Sequence, residues 1–211
     1  MLIEIKQVIP EPIPQGIIER SEIWGRDLIF ESGSFVLISA QSGMGKSTLL
    51  HILYGLRQDY AGDITINQES IRAKNWLEWE AWRRQIISLL FQDLRLFPSL
   101  SARQNIELIP QLNSSLPSIQ EMADRLGMKD FLDQSVISLS HGQRQRVALL
   151  RALHKPFKLL LLDEPFSHLD QENESHACAL IEEITKANQA GLVLSSLGAA
   201  PSLPFDQTFS L

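Results

Sequence analysis

The sequence predicts an α/β fold, and three observations carry that prediction. Largely apolar runs of strand length, Phe35-Val36-Leu37-Ile38, Ile86-Ile87-Ser88-Leu89-Leu90-Phe91 and Leu159-Leu160-Leu161-Leu162, recur between helical patterns, as buried strands of an open sheet do. The first of these runs breaks into a small-residue loop, Ala40-Gln41-Ser42-Gly43-Met44-Gly45, and then into a helical pattern opening on Lys46-Ser47-Thr48. Residues 2–8 and 62–67 alternate apolar and polar side chains, which reads as half-exposed strands of an antiparallel unit.

Taken in order, residues 2–8 form a strand, after which Pro10, Pro12 and Pro14 force an extended segment without ladder donors. Residues 27–30 are a second strand and 31–34 a turn into the buried run at 35–39. The helix opening at Lys46 stops near Gly55, and residues 62–67 return to strand. Residues 76–84 read as a short helix whose three tryptophans, Trp76, Trp79 and Trp82, present a broad indole face suited to packing rather than to a ligand. Gln92 follows the strand at 86–91, at the carboxyl end where open α/β sheets bind ligands. From Asp93 to about Lys155 the pattern is helices and loops. Residues 113–118 make a turn, Ser118 caps a helix over 119–126 that Gly127 ends, and a further helix spans 143–153. Residues 158–162 are a buried strand running into Asp163-Glu164-Pro165, and residues 192–195 and 205–211 supply the last two strands.

A chain of 211 residues with 44% apolar content is long enough for a substantial core. Its net charge of −6 argues against nucleic acid as a partner, because phosphate-backbone binding needs a basic face. A single cysteine, Cys178, excludes an internal disulfide framework or a cysteine-based metal site. No apolar run reaches the eighteen or so residues of a membrane span, and the first residues lack a signal-peptide pattern, so a cytoplasmic protein is expected.

The strand-loop-helix unit at 35–50 is the context of a phosphate-binding P-loop. Gly43 and Gly45 allow the backbone N–H groups to turn inward around an anion, and the helix starting at Lys46 adds unpaired N–H groups and a positive dipole end. The candidate phosphate-binding residues are Ser42, Gly43, Met44, Gly45, Lys46, Ser47 and Thr48, with Lys46 along the β- and γ-phosphates and Ser47 on Mg²⁺. Ala40 stands where the pattern has its first glycine, which a residue with negative φ tolerates.

Four motifs then make the chain resemble the ATP-binding subunit of an ABC transporter nearly end to end. In order they are Ser42-Gly43-Met44-Gly45-Lys46-Ser47-Thr48, Phe91-Gln92-Asp93-Leu94, Leu139-Ser140-His141-Gly142-Gln143, and Leu160-Leu161-Leu162-Asp163-Glu164-Pro165, with Ser167-His168-Leu169-Asp170 close behind. The resemblance implies a P-loop NTPase with a mostly parallel core sheet, an antiparallel β subdomain and a helical subdomain. It divides the chain into an ATP-binding core at 1–92 and 156–211 and a helical subdomain at 93–155. It also implies ATP and Mg²⁺ as cofactors, Ser47, Gln92 and Asp163 around the metal, and Glu164 as general base with Gln92 and Lys46 as further catalytic groups. Ser140, Gly142 and Gln143 would open a second helix N-terminus toward the γ-phosphate held by another subunit, so function requires a homo- or heterodimer. His141 occupies the usual place of a glycine, as a tolerated side chain at the interface rather than a catalytic group, with tuning of the γ-phosphate contact by its charge as the alternative.

The segment opening on Gln92 and closing on Asn105 resembles that of compact cassettes serving lipoprotein-release, macrolide-export and cell-division systems, where it receives a membrane permease through residues such as Phe97 and Leu100. The protein would then lie on the inner face of the cell membrane through that partner, and with the chain ending soon after the last strand no regulatory extension is expected. Two family features are missing. Pro12 stands where an adenine-stacking ring is expected, leaving Pro12 or Ile13 as an apolar platform and looser base recognition. Ser195 and Ser196 stand where a switch histidine is expected, which implies slow or partner-dependent hydrolysis. A soluble non-transport ABC-type ATPase and a slowly hydrolysing dimerisation switch are the alternative readings.

Overall fold

The computed structural model describes residues 1–110, 116–198 and 200–211. Its centre is a five-stranded sheet in the order β6-β7-β8-β3-β9, formed by β3 (Phe35–Ser39), β6 (Ile87–Leu90), β7 (Leu159–Asp163), β8 (Gly191–Ser196) and β9 (Gln207–Ser210), all pairs parallel. A second, antiparallel sheet joins β1 (Ile3–Pro10), β2 (Asp27–Phe30), β4 (Tyr60–Ile66) and the two-residue β5 (Glu69–Ser70) in the order β2-β1-β4-β5. This is the mostly parallel α/β architecture with an antiparallel unit that the sequence predicts.

Alternation of side chains across the central strands divides the interior in two. Leu160, Leu162, Leu192 and Leu194 face a core shared with α6 (His141–His154) and α7 (Gln171–Ala187), which also takes in residues of α4 (Ala102–Ile106) and α5 (Ile119–Arg125). Leu159, Leu161, Val193 and Ile38 face the other way, onto α2 (Lys46–Leu53), Trp79 of α3 (Trp76–Gln85) and the inner face of the antiparallel sheet. Every side chain of β7 is buried, which is why that strand reads as unbroken leucine before Asp163.

Several local readings are refined. The proline-rich stretch does enter extended, but a six-residue helix, α1 (Gln15–Arg20), follows it; no residue of α1 is buried, so no apolar periodicity announces it. The P-loop helix ends at Leu53 with Tyr54 as its C-cap, and Gly55 turns the chain out of it with φ of 72°, where the sequence places its stop. The helix expected at 143–153 begins two residues earlier because Ser140 is its N-cap. Of the three tryptophans, Trp79 is buried and packs edge-on to Trp82, whereas Trp76 is 71% exposed, so the indole face is narrower than its spacing suggests. Ser118 caps α5 in a capping box with Glu121; residues 113–115 of the expected turn lie outside the described residues. No helix among the described residues is long and apolar enough to cross a membrane.

Candidate functional site

The loop from Ala40 to Gly45 joins the carboxyl end of β3 to α2, and its conformation follows from its glycines. Gly43 and Gly45 have φ of 83° and 101°, values that side chains resist, and Gly45 is the N-cap of α2 with no side chain closing that end. Ala40 is not among the positive-φ residues, so its methyl is tolerated. Beneath the loop lies Trp24, fully buried, whose indole N–H donates to the Met44 carbonyl at 3.3 Å; a Cβ on Gly45 would come within 3.1 Å of its ring. The sequence reading missed Trp24, which belongs to no periodic segment.

Lys46 is buried. Its ammonium donates to the carbonyls of Ala40 at 2.8 Å and Gln41 at 3.2 Å and lies 3.4 Å from Glu164 Oε1, itself 8% exposed. The fold thus brings the lysine and the candidate base together from residues 118 positions apart in sequence, at the ends of β3 and β7. Glu164 adopts φ of 50°, a region that costs a non-glycine residue about 1 kcal/mol or more.

Asp163 ends β7 and is 1% exposed. Its Oδ1 accepts a 2.6 Å hydrogen bond from Ser195 Oγ, while Oδ2 is buried without any partner. An orphaned buried carboxylate oxygen is costly unless something positive meets it. With the Ser47 hydroxyl half-buried in the first turn of α2, the donor set is the hard-oxygen kind that suits Mg²⁺. Ser42 and Gly43 are exposed, Met44, Gly45 and Thr48 half-buried, and Gln92 is exposed just past β6.

The second helix N-terminus is built by a reciprocal capping box. Gln143 N–H donates to Ser140 Oγ at 3.2 Å, and Ser140 N–H donates to Gln143 Oε1 at 2.8 Å. Gly142 is required by packing, since a Cβ there would sit 2.9 Å from the His168 carbonyl. Among the described residues no hydrogen bond or ion pair joins Ser140, Gly142 or Gln143 to residues 42–48. The rings of His141 and His168 lie with centroids 3.9 Å apart, tilted by 56°; desolvation, His168 and Arg144 together hold the His141 imidazole below its ordinary pKa of 6.5.

Gln145 ties the two halves of the site together. Fully buried in α6, it donates through Nε2 to the carbonyls of Glu164 at 3.1 Å and Pro165 at 2.7 Å and to Ser167 Oγ at 3.2 Å, and its Oε1 accepts from His168 N–H at 3.1 Å. The sequence did contain a signal: Gln145 lies on the same helical stripe as the buried Ala148, Leu149 and Ala152, where a polar side chain must find partners.

Ser195 and Ser196, where the sequence lacks the expected histidine, help line a cleft of about 390 Å³ with Glu164, Ser167, Glu174 and Leu197, among others. On a separate face, Tyr54, Phe91, Phe97, Arg95, Arg151 and Lys155 help line a cleft of about 270 Å³, with Phe97 53% exposed and Leu100 half-buried.

Comparison with known proteins agrees with this geometry. The ABC transporter family profile matches residues 25–167. The thiamine import ATP-binding protein ThiQ of Aliivibrio fischeri is 38% identical over 179 residues, covering 82% of this chain and 74% of ThiQ. The macrolide export ATP-binding/permease protein MacB of Nitrosomonas europaea is 34% identical over 81% of this chain but only 27% of its own length. Among solved structures, the dimeric bacterial ABC transporter cassette MJ0796 superposes with a TM-score of 0.78 at 25% identity over 93% of this chain and 88% of its own. A dimeric post-hydrolysis state of the same cassette, bound to ADP and Pi, gives 0.75 at 27% identity over 92% and 87%. The P-loop, the acidic end of β7 and these relatives lead to one conclusion: the chain belongs to the ABC transporter family of ATP-binding cassettes.

Proposed function

We propose that this chain binds MgATP between its P-loop and the Ser140 helix N-terminus of a second cassette, hydrolyses it, and drives a membrane permease. The observation that carries the reading is the junction of Lys46 with Glu164 at 3.4 Å beside Asp163 and its unpaired Oδ2. Residues 42–48 would wrap the phosphates, Ser47, Asp163 and Gln92 would hold the metal, and Glu164 would take a proton from the attacking water. Mg²⁺ would supply charge neutralisation on the β- and γ-phosphates. Residues 1–92 and 156–211 act in this reading as the nucleotide core and 93–155 as the arm that carries Ser140, Gly142 and Gln143 to the partner. The Phe97 cleft, apolar with the exposed Arg95 at its edge, suits a partner helix bearing apolar and acidic side chains, and the protein would sit at the inner membrane face through it.

Glu164→Gln tests the reading. It should abolish ATP turnover, by a hundredfold or more, while MgATP binding persists; unchanged turnover in an active preparation would overturn the general-base assignment. A second reading, a slowly hydrolysing dimerisation switch, is favoured by Ser196 standing at the end of β8 beside Glu164, where a hydroxyl cannot shuttle protons as an imidazole does. No turnover with the native partner present would support that reading over the transporter.

A further inference from the structure

We propose that Ser195 is a positioning residue for the metal carboxylate, not a phosphate contact. The claim rests on the reading that Asp163 holds the metal. A hydroxyl has one proton to donate, and that of Ser195 goes to Asp163 Oδ1 at 2.6 Å. Its lone pairs face the Glu164 N–H, which lies 3.2 Å from Oγ and shares its hydrogen with the Ser195 carbonyl at the same distance. One fully buried side chain therefore fixes the carboxylate of residue 163 and the backbone of residue 164.

The register makes this arrangement unavoidable. On β8, Ser195 lies directly across from Asp163 on β7 and from Ile38 on β3, one residue before the strand pair that leads into the P-loop. The hydrogen bond to Oδ1 orients the carboxylate, and Oδ2, buried without a partner, is the oxygen left open for a cation. Partners of this kind orient ligand groups and typically shift metal affinity about 10–100-fold when lost.

Two substitutions of matched shape isolate the hydroxyl. Ser195→Thr keeps it, and Ser195→Val replaces it with a methyl, so any crowding at this site is common to both. Calorimetric titration with ATP is run on the full chain with Mg²⁺ and again with EDTA, and the ratio of the two affinities is the readout. The Mg²⁺-dependent gain should fall about tenfold or more in the valine variant, stay near wild type in the threonine variant, and leave the EDTA affinity unchanged in both. A purely structural role would weaken both affinities alike, and that result overturns the proposal, as does a valine variant that equals threonine. If crowding prevents the pair from folding, Ser195→Ala against wild type gives the same comparison. Asp163→Asn separates the two levels: if it loses the Mg²⁺ gain while the valine variant keeps it, only the Ser195 assignment fails. If it retains the gain, the metal reading and the Ser195 assignment fail together.

Discussion

Gln145→Leu should be among the most damaging single substitutions in α6, because leucine fills similar space but cannot replace the four contacts of the amide. The Pro165 carbonyl would lose its donor inside a buried region, the Glu164 carbonyl would lose the nearer of its two donors, and His168 N–H would lose its acceptor. A buried polar group left unpaired costs about 1–3 kcal/mol. The added apolar contact returns about 1 kcal/mol. With the Pro165 carbonyl stranded, the Glu164 carbonyl keeping only the 3.4 Å contact from Ser167 N–H and His168 open to solvent, the net loss is about 1–3 kcal/mol. Urea unfolding with a common m-value would read this as a lower midpoint. Amide hydrogen exchange adds the local test, since Phe166, Ser167 and His168 should lose protection before the rest of the sheet. A midpoint within about 0.5 kcal/mol of wild type, with no faster exchange at those amides, would refute the clamp. Turnover should fall as well, because Glu164 keeps its strained φ only while its neighbours are held.

Three further outcomes are expected. Gly45→Ala should destabilise by about 2 kcal/mol or more, from a side chain at φ of 101° pressed against Trp24; part of that cost should vanish in a Trp24→Phe background, measured as a thermal double-mutant cycle. Burial, helped by Arg151 and Arg83, lowers the Lys155 ammonium from 10.5 to about 8. The unfolded chain then holds the extra proton between pH 8 and 10.5. The cost of burying the charge is in full force below pH 8 and fades as pH rises, worth about 3 kcal/mol across the window. Denaturation at several pH values should show this gain in wild type and not in Lys155→Met; equal slopes would contradict it. Phe97→Ser should leave stability and basal turnover within experimental error, since the ring is 53% exposed, yet weaken association with the native membrane partner; unaltered copurification would remove Phe97 from that interface.

The parts of the fold legible in the sequence are those whose burial imposes a period. β3 and β7 are sealed on both faces and read as solid apolar runs, and the Ser118 and Ser140 caps announce α5 and α6 by a serine followed three residues later by Glu121 or Gln143. The candidate site was legible to the same depth: residues 42–48, Asp163 and Glu164 were visible as residue types at strand ends. What escaped were relations between distant segments. α1 lies on the surface and has no buried face to pattern it. Trp24 matters only because Gly45, from another element, rests against it. Ser195 looked like a replacement for a missing imidazole, and only the register of β8 against β7 reveals where its proton goes.

The strand order has a consequence for how the chain is made. β3 carries the P-loop, yet both strands that pair with it, β8 and β9, come from residues 191–196 and 207–210. During synthesis β3 therefore stays an apolar strand with two open edges until residues 191–210 have been made, whereas the antiparallel sheet has all its strands once residue 70 has been made. Truncations that keep every phosphate-gripping residue but remove β8 and β9 should aggregate rather than bind nucleotide, because the grip is shaped by strands made long after it.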